Sequence, residues 1–339
     1  MQGINLFQNA NTKLMDTFGR VHNNLRISVT DRCNLRCIYC MPEEVQFLDK
    51  QELLSFEEIA RFVEVAAGLG VNKLRMTGGE PLLRKDLPIL VQHLAAIPGI
   101  LDIGLTTNAL LLKQRAKALW RAGLHRLNIS LDTLDVGRFR ALARRDGLEL
   151  VLQGIAEAQA VGFSRIKINA VIIRDINDID VVPLARYARE HGIEMRYIEY
   201  MPIGAESWER RKCYQAYEIL EQLENAFGPL LPAQDFDPSN PASEFTYAEG
   251  GGRVGMIASV SRPFCRRCNR LRLTADGKLR NCLFALTEKD IKPLLRTQPL
   301  DVSALQTAIR DNVWQKWEGH EINSARFLKP ERTMHAIGG

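Results

Sequence analysis

The sequence lacks the hydrophobic segments by which proteins are exported or inserted into membranes. No stretch approaches the roughly 18 consecutive apolar residues that span a bilayer. Residues 1–20 contain no basic region followed by an apolar one, so they do not have the pattern of a secretory signal peptide. Internal repeats and low-complexity tracts are also missing. We therefore expect a globular, cytoplasmic protein that does not associate with a membrane.

A strong net charge is missing as well. The 45 basic side chains exceed the 40 acidic ones by only five, and a net charge of +5 is too small to indicate a nucleic-acid partner. The charge is nevertheless uneven, because residues 261–273 place five arginines around two cysteines. Such a segment forms either a local anion-binding site or a solvated basic face.

Cysteine is scarce, and six of the seven cysteines fall into two groups of three. The groups are Cys33, Cys37 and Cys40, spaced C-x3-C-x2-C, and Cys265, Cys268 and Cys282, spaced C-x2-C-x13-C. A disulfide framework suits neither the length of the chain nor a reducing compartment, so grouped cysteines indicate metal or redox chemistry. The six histidines show no ligand spacing. Cys213 could complete the second group, but its helical context favours a buried free thiol.

Each group lacks the fourth ligand that a structural zinc site requires. Three thiolates can hold three irons of a four-iron cluster and leave the fourth iron open. An open iron binds small molecules, so the cluster would be a reaction site as well as an electron store. A zinc half-site and a chance grouping are the alternatives.

Residues 25–200 alternate between short β-rich runs and segments with helical periodicity. The β-rich runs are residues 25–30, 73–77, 101–107, 125–131, 166–173 and 194–200. This alternation predicts parallel strands joined by right-handed crossovers. Six such units would form an incomplete (β/α)6 three-quarter barrel, and a doubly wound sheet is the alternative. In both arrangements ligands bind at the C-terminal ends of the strands.

The alternation stops after Met201. We expect one unit over residues 1–210 and a C-terminal region over residues 211–339. A helix is predicted over residues 213–227, and the Pro-, Ser- and Gly-rich stretch over residues 232–252 is predicted to be a loop. Further on, Asp276-Gly277 between two alternating runs predicts a β-hairpin.

The first cysteine group resembles the signature of the radical S-adenosylmethionine (SAM) family. Tyr39 immediately precedes the third cysteine, and TGGEP (residues 77–81) follows about 40 residues later at the end of the next predicted strand. In that family a cluster with one open iron chelates SAM, and the reduced cluster cleaves SAM to methionine and a 5′-deoxyadenosyl radical. The GGE element holds the amino group of SAM.

The wider set of motifs resembles the GTP 3′,8-cyclase family of molybdenum cofactor biosynthesis. The motifs are LRISVTDRCNLRCIYCMP, MTGGEPLLR, TTN, NISLD, IKINAV, EYMPIG, FCRRCNRLRLTADGKLRNCL and the terminal Gly-Gly. The resemblance implies an incomplete (β/α)6 barrel of TIM type, closed by a C-terminal extension that carries a second iron–sulfur cluster. It also implies two [4Fe–4S] clusters, SAM as cofactor, and cyclisation of GTP to (8S)-3′,8-cyclo-7,8-dihydroguanosine 5′-triphosphate.

The resemblance also implies a role for each residue that matches a family motif. The cluster ligands would be Cys33, Cys37, Cys40, Cys265, Cys268 and Cys282. The residues that contact SAM would be Tyr39, Gly79, Glu80, Ser130 and Met201. The residues that bind GTP would be Arg26, Lys73, Arg75, Thr106, Lys167, Arg196, Arg270 and Arg272. The tail residues Gly338 and Gly339 would reach into the active site and are assigned a catalytic role.

Several of these cations lie on predicted strands: Arg26, Lys73, Arg75, Lys167 and Arg196. If they point inward they need anionic partners, and the pattern shows no matching set of acids nearby. A triphosphate with about four negative charges would supply the partner, because guanidinium groups bind phosphate oxygens in pairs. Outward-facing solvated cations are the alternative.

Partners follow from the same resemblance. GTP is the expected substrate, a low-potential electron donor supplies reducing equivalents, and a cyclic pyranopterin monophosphate synthase takes the product. No nucleic acid is expected, and the oligomeric state, a homodimer included, stays open. The rival interpretations are a radical SAM enzyme that modifies another nucleotide, RNA or a peptide, a ferredoxin-like electron carrier, and a zinc-based nucleic-acid module.

Overall fold

The computed structural model describes residues 13–204, 208–235 and 237–338. The strands are β1 (Asn24–Ser28), β2 (Lys73–Thr77), β3 (Asp102–Thr107), β4 (Arg126–Ser130), β5 (Ile166–Ile172), β6 (Glu194–Glu199), β7 (Leu230–Pro232), β8 (Ser243–Tyr247), β9 (Arg253–Ile257), β10 (Arg270–Leu273), β11 (Lys278–Arg280) and β12 (Lys289–Asp290). The helices are α1 (Phe56–Gly68), α2 (Leu87–Ala95), α3 (Leu112–Arg121), α4 (Val136–Ala143), α5 (Leu148–Val161), α6 (Val181–Glu190), α7 (Ala216–Phe227), α8 (Lys292–Arg296), α9 (Val302–Trp314) and α10 (Met334–Ile337). Among the described helices, none is long and apolar enough to cross a bilayer.

All the described strands belong to one sheet, in the order β12-β11-β10-β1-β2-β3-β4-β5-β6-β9-β8-β7. Strands β1 to β6 are parallel and follow one another without a reversal. The six predicted strands and their parallel pairing are therefore confirmed. A doubly wound sheet needs a reversal of strand order, so that alternative is wrong.

The C-terminal region adds strands to both edges of this parallel core. Strand β9 pairs with β6, and β10 pairs with β1, both in the parallel sense. The predicted hairpin is confirmed, since β10 and β11 are antiparallel and Gly277 at their turn has φ +80°. The predicted helix over residues 213–227 begins at Ala216 and is otherwise confirmed.

The loop prediction for residues 232–252 is wrong in part, because β8 lies within it. This strand pairs with β9 in an antiparallel register and buries Tyr247. The pairing is a tertiary contact that the Pro- and Gly-rich composition of the segment does not reveal.

The strands divide their side chains between two faces. On β1, Leu25 and Ile27 are fully buried in the apolar core between sheet and helices. Arg26 lies between them in sequence and therefore on the opposite face. The same alternation recurs on β2, where Leu74 and Met76 are buried in the core and Arg75 lies between them. The polar face of the sheet thus carries the predicted site residues.

Gly78 and Gly79, at the end of β2, hold the loop after β1 in place. The N–H of Gly79 donates to Thr30 O (2.8 Å) and the N–H of Glu80 to Arg32 O (2.7 Å). A Cβ on Gly79 would lie 2.3 Å from Arg32 O. The glycine pair therefore lets two backbones meet closely, and this contact positions the loop that begins with Cys33.

We predict that Gly79→Ala destabilises the protein by about 1–3 kcal/mol, because the added methyl group overlaps backbone that has little freedom to shift. Gly68→Ala is the matched control, since a Cβ there meets nothing within 4 Å. Urea unfolding of the reduced, cluster-free chains measures both changes. Equal stability of the Gly79→Ala variant and the parent protein would show that the loop contact is dispensable.

Candidate functional site

One cavity collects both cysteine groups and most of the predicted site residues. Its wall contains residues from every parallel strand of the sheet, from the loop after β1 and from the segment before β10. The predicted residues in the wall are Arg26, Cys33, Cys37, Tyr39, Cys40, Arg75, Gly79, Glu80, Thr106, Ser130, Arg196, Met201, Cys265, Cys268, Arg270, Arg272 and Cys282. Lys73, Lys167 and Gly338 do not form part of the wall. Gly339 lies outside the described residues.

The first cysteine group occupies the loop between β1 and α1. The loop is closed by a short turn, in which the N–H of Cys40 donates to Cys37 O (2.9 Å). Burial raises the pKa of the Cys33 thiol to about 11 and that of Cys40 to about 12. These thiols are therefore protonated at neutral pH until a metal displaces the protons.

The second cysteine group has a different electrostatic environment. The Sγ atom of Cys268 lies 3.3 Å from a guanidinium nitrogen of Arg270 and 3.4 Å from Nζ of Lys316. Burial raises the pKa of Cys268, but Arg270 and Lys316 outweigh it and bring the pKa to about 5. This sulfur is thus a thiolate at neutral pH. Lys316 is itself buried and also donates to Arg270 O (2.8 Å).

The cysteines of each group do not form a compact site for a single ion. In the part of the chain that the structure describes, no three His, Cys, Asp or Glu side chains converge closely enough to hold a single ion. A four-iron cluster binds each cysteine through a different iron, so its ligands need not converge on one point. The six thiols are free and partly accessible, and they fit that wider arrangement. Cys213 is buried away from the cavity, as expected for a free thiol.

Like charges crowd the inner face of the sheet. Arg26 stands in register with Arg75 on one side and Arg272 on the other. Burial lowers the pKa of Arg26 and Arg75 well below the usual value, and neighbouring guanidinium groups lower it further. Burial together with Arg270 brings the pKa of Arg272 to about 9. Within the described residues, no ion pair joins Arg26 or Arg75 to a carboxylate, and the Nε atom of Arg26 is buried without a hydrogen-bond partner.

The expectation that no acids match the strand cations is wrong for three of them. The ion pairs are Lys73–Asp237 (3.0 Å), Lys167–Glu194 (2.5 Å), Arg196–Glu194 (2.5 Å) and Arg196–Glu244 (2.6 Å). Glu194 precedes Arg196 by two positions on β6 and stands in register with Lys167 on β5. Strand register, which is not apparent from the sequence, brings Glu194 to Lys167, whereas Asp237 reaches Lys73 from the loop between β7 and β8.

Two carboxylates also line the cavity, the buried Glu80 and the partly buried Asp132. Glu80 accepts hydrogen bonds from Leu82 N (3.0 Å), Thr107 Oγ1 (2.7 Å) and Asn108 N (2.7 Å), yet burial raises its pKa to about 7. Asp132 accepts from the hydroxyl group of Tyr39 (2.7 Å), and burial raises its pKa to about 6. A carboxylate in this setting is well suited to pair with an ammonium group of a ligand.

The C-terminal tail is buried beside the cavity. Helix α10 ends at Ile337 and is capped by Gly338, whose carbonyl oxygen accepts a hydrogen bond from Nη1 of Arg272 (2.6 Å). A Cβ on Gly338 would lie 2.9 Å from Thr77 Cγ2, and φ at this residue is +78°. Both the space and the backbone conformation therefore favour glycine at this position.

Several residues of the cavity wall had no predicted role: Asn108, Asn128, Asp132, Asn169, Phe264, His320 and His335. Asn128 and Asn169 lie on strands that alternate between polar and apolar residues, on the same face as Ser130 and Lys167, and that shared face is the signal that could have identified them. Lys316 leaves no such signal, because its contact with Cys268 joins distant parts of the chain. Two of the six histidines, His320 and His335, lie in the cavity wall, although the sequence predicted no role for them.

Family comparisons agree with this site. The radical SAM superfamily model matches residues 27–188, and the Molybdenum Cofactor Synthesis C model matches residues 193–322. A GTP 3′,8-cyclase of Rhodopirellula baltica is 46% identical, over 96% of this chain and 92% of that protein. The corresponding protein of Thermodesulfovibrio yellowstonii is 44% identical, over 96% of this chain and its own full length.

Solved structures support the fold. Streptococcus suis SuiB bound to S-adenosylmethionine superposes with a TM-score of 0.62 at 17% identity, covering 85% of this chain and 68% of SuiB. At that identity the likeness concerns the fold alone. The near full-length matches at 44–46% identity decide the family. The chain belongs to the GTP 3′,8-cyclase family of the radical SAM superfamily.

Proposed function

We propose that this chain performs the reaction for which its family is named, the radical SAM cyclisation of GTP to (8S)-3′,8-cyclo-7,8-dihydroguanosine 5′-triphosphate, an early step of molybdenum cofactor synthesis. One observation carries the proposal. A single cavity contains two separate three-cysteine groups and, among the described residues, a row of partly or fully buried arginines without carboxylate partners. Such a cavity can hold two clusters and a polyphosphate together.

Cys33, Cys37 and Cys40 would hold the first [4Fe–4S] cluster. When bound, this cluster and SAM supply the 5′-deoxyadenosyl radical that removes the 3′ hydrogen of GTP. The protein contributes position: Tyr39, Gly79, Ser130 and Met201 would contact SAM, and Glu80 would pair with its amino group. Asp132 fixes Tyr39 through its hydroxyl group, so that the side chain stays in one orientation.

Cys265, Cys268 and Cys282 would hold a second [4Fe–4S] cluster. When bound, its open iron supplies a Lewis acid for the guanine base. The Arg270 and Lys316 charges beside Cys268 keep that ligand deprotonated, which favours assembly of the cluster at neutral pH.

Seven cations and Thr106 would bind the triphosphate and the ribose of GTP. The residues proposed for this role are Arg26, Lys73, Arg75, Thr106, Lys167, Arg196, Arg270 and Arg272. The phosphate oxygens would offset the mutual repulsion of Arg26, Arg75 and Arg272. Lys73, Lys167 and Arg196 already have carboxylate partners, so they would act by orienting side chains around the nucleotide as much as by their charge.

The reaction places further demands on the chain. After the 3′ carbon bonds to C8 of guanine, one electron and one proton complete the product, so a low-potential donor must supply electrons.

We propose that the sheet curves into an incomplete (β/α)6 barrel over residues 1–210, since strands from β10 through β9 line one cavity. Residues 211–339 would close it. The unstable product would pass to a cyclic pyranopterin monophosphate synthase, and the reduced thiols suit the cytoplasm.

The test of this function is anaerobic incubation of the reconstituted protein with SAM, dithionite and each of the four ribonucleoside triphosphates. The proposal expects 5′-deoxyadenosine and a cyclised nucleotide with GTP alone. Equal 5′-deoxyadenosine formation with all four nucleotides, or none with any, would contradict it. Iron analysis of the same sample expects about eight irons per chain, because each three-cysteine group holds four.

The two cysteine groups should fail in different ways. Cys37→Ala should abolish 5′-deoxyadenosine formation and leave about four irons per chain. Cys268→Ala should abolish GTP binding and cyclisation while some SAM cleavage without cyclisation remains. Cys213→Ala is the matched control, with both clusters and full activity expected. The assignment of the groups fails if Cys37→Ala still cleaves SAM or if Cys268→Ala binds GTP normally.

The tail should act together with Arg272. Deletion of Gly338 and Gly339 removes the acceptor of the Arg272 hydrogen bond. Cyclisation should fall about ten- to a hundredfold, since a hydrogen bond to a charged group contributes about 1.5–3 kcal/mol, while iron content and SAM binding stay normal. Arg272→Ala should add little in the truncated chain, and a peptide ending in Gly-Gly should restore part of the activity. Additive losses, or full activity after truncation, would show that the tail contact is incidental.

A further inference from the structure

Asn128, on β4, has no hydrogen-bond partner although it is buried. Its side chain is 1% exposed and lines the cavity, and neither Nδ2 nor Oδ1 finds a partner among the described residues. Buried side-chain amides are normally satisfied, and an unpaired one costs free energy. The neighbouring strand residues do not compensate. An amide left unpaired in a cavity wall therefore points to a ligand.

The register of the sheet shows which ligand lies nearest. Asn128 stands in register with Thr106 on β3 and with Lys167 on β5, both proposed to bind GTP. Ser130, proposed to contact SAM, lies two positions further along the same face, roughly 6.6 Å away along the strand. Asn128 therefore lies where the two proposed sites meet, level with the residues Thr106 and Lys167 that are proposed to bind GTP.

The hydrogen-bonding chemistry of the amide limits which group of a ligand it can contact. A carboxamide offers a donor and an acceptor, and both are unpaired here. Phosphate oxygens only accept, so a phosphate would leave Oδ1 unsatisfied. A hydroxyl group both donates and accepts, and it can satisfy both ends of the amide. The ligand group that fits is a ribose hydroxyl.

We propose that Asn128 binds the 2′-hydroxyl of the GTP ribose and so makes the site select ribonucleotides over 2′-deoxyribonucleotides. This inference rests on the proposed function, since it takes GTP as the substrate. The same contact would fix the ribose with its 3′ carbon at the junction with the SAM site. Asn128 is then a residue that determines specificity and holds the sugar, with no part in proton or electron transfer.

The experiment compares the dissociation constants of GTP and 2′-deoxyGTP under anaerobic conditions. The protein with both clusters should bind GTP about ten- to a hundredfold more tightly than 2′-deoxyGTP. Asn128→Ala should lose that preference by binding GTP more weakly while its affinity for 2′-deoxyGTP stays nearly constant. SAM affinity should not change. Asn312→Ala is the matched control, because Asn312 is a buried asparagine on α9 whose amide donates to Leu279 O and which is not in the cavity wall.

Each other outcome overturns the proposal. Equal losses for GTP and 2′-deoxyGTP in Asn128→Ala would indicate a structural role. A parent protein without preference would rule out recognition of the 2′-hydroxyl. A selective loss of SAM affinity would assign the amide to the ribose of SAM instead. Failure of the parent protein to bind GTP at all would overturn the proposed function together with this inference.

Discussion

The site depends on positive charge that is withdrawn from solvent before any substrate binds. Arg26, Arg75 and Arg272 stand side by side on three neighbouring strands, and desolvation together with neighbouring guanidinium groups lowers the pKa of all three. The hydrophobic core on the other face of the sheet holds these strands in register and stabilises an arrangement that the charges oppose. Phosphate groups would replace the repulsion among these arginines by attraction to the phosphate oxygens. The strand register that brings the arginines together would therefore also provide the affinity for an anionic substrate.

The surrounding acids limit this charge to one part of the cavity. Glu194 and Glu244 neutralise Arg196, whereas Arg26 and Arg75 have no hydrogen-bonded carboxylate in the described chain. The unpaired charge lies on β1, β2 and β10, next to the second cysteine group. In the first group burial raises the thiol pKa values, and at Cys33 the nearby Arg36 does not outweigh it. This electrostatic difference is consistent with the proposal that the first group serves SAM and the second an anionic nucleotide.

Much of this arrangement could be predicted from the sequence, because its signals are local. The six parallel strands follow from alternating periodicity, and the two cysteine groups follow from spacing. The prediction of a loop over residues 232–252 was wrong because β8, within that range, pairs with β9. The prediction that no acids match the strand cations was wrong because Glu194 stands opposite Lys167 on the neighbouring strand. The contacts of Lys316 with Cys268 and of Arg272 with Gly338 span 48 and 66 residues. No local pattern encodes pairs of that kind, since they exist only once the sheet and its C-terminal strands have assembled.

The most direct test of the account uses GTP that carries deuterium at C3′ of the ribose. Asn128 stands in register with Thr106 and lies two positions before Ser130 on β4, which would place the ribose of GTP beside the SAM site. In that arrangement deuterium should pass from C3′ to 5′-deoxyadenosine. Mass spectrometry of the nucleoside should then show one deuterium, with the cyclised product depleted of it. Unlabelled 5′-deoxyadenosine formed together with a product that keeps its deuterium would contradict the arrangement of substrate, cofactor and arginines proposed for this cavity.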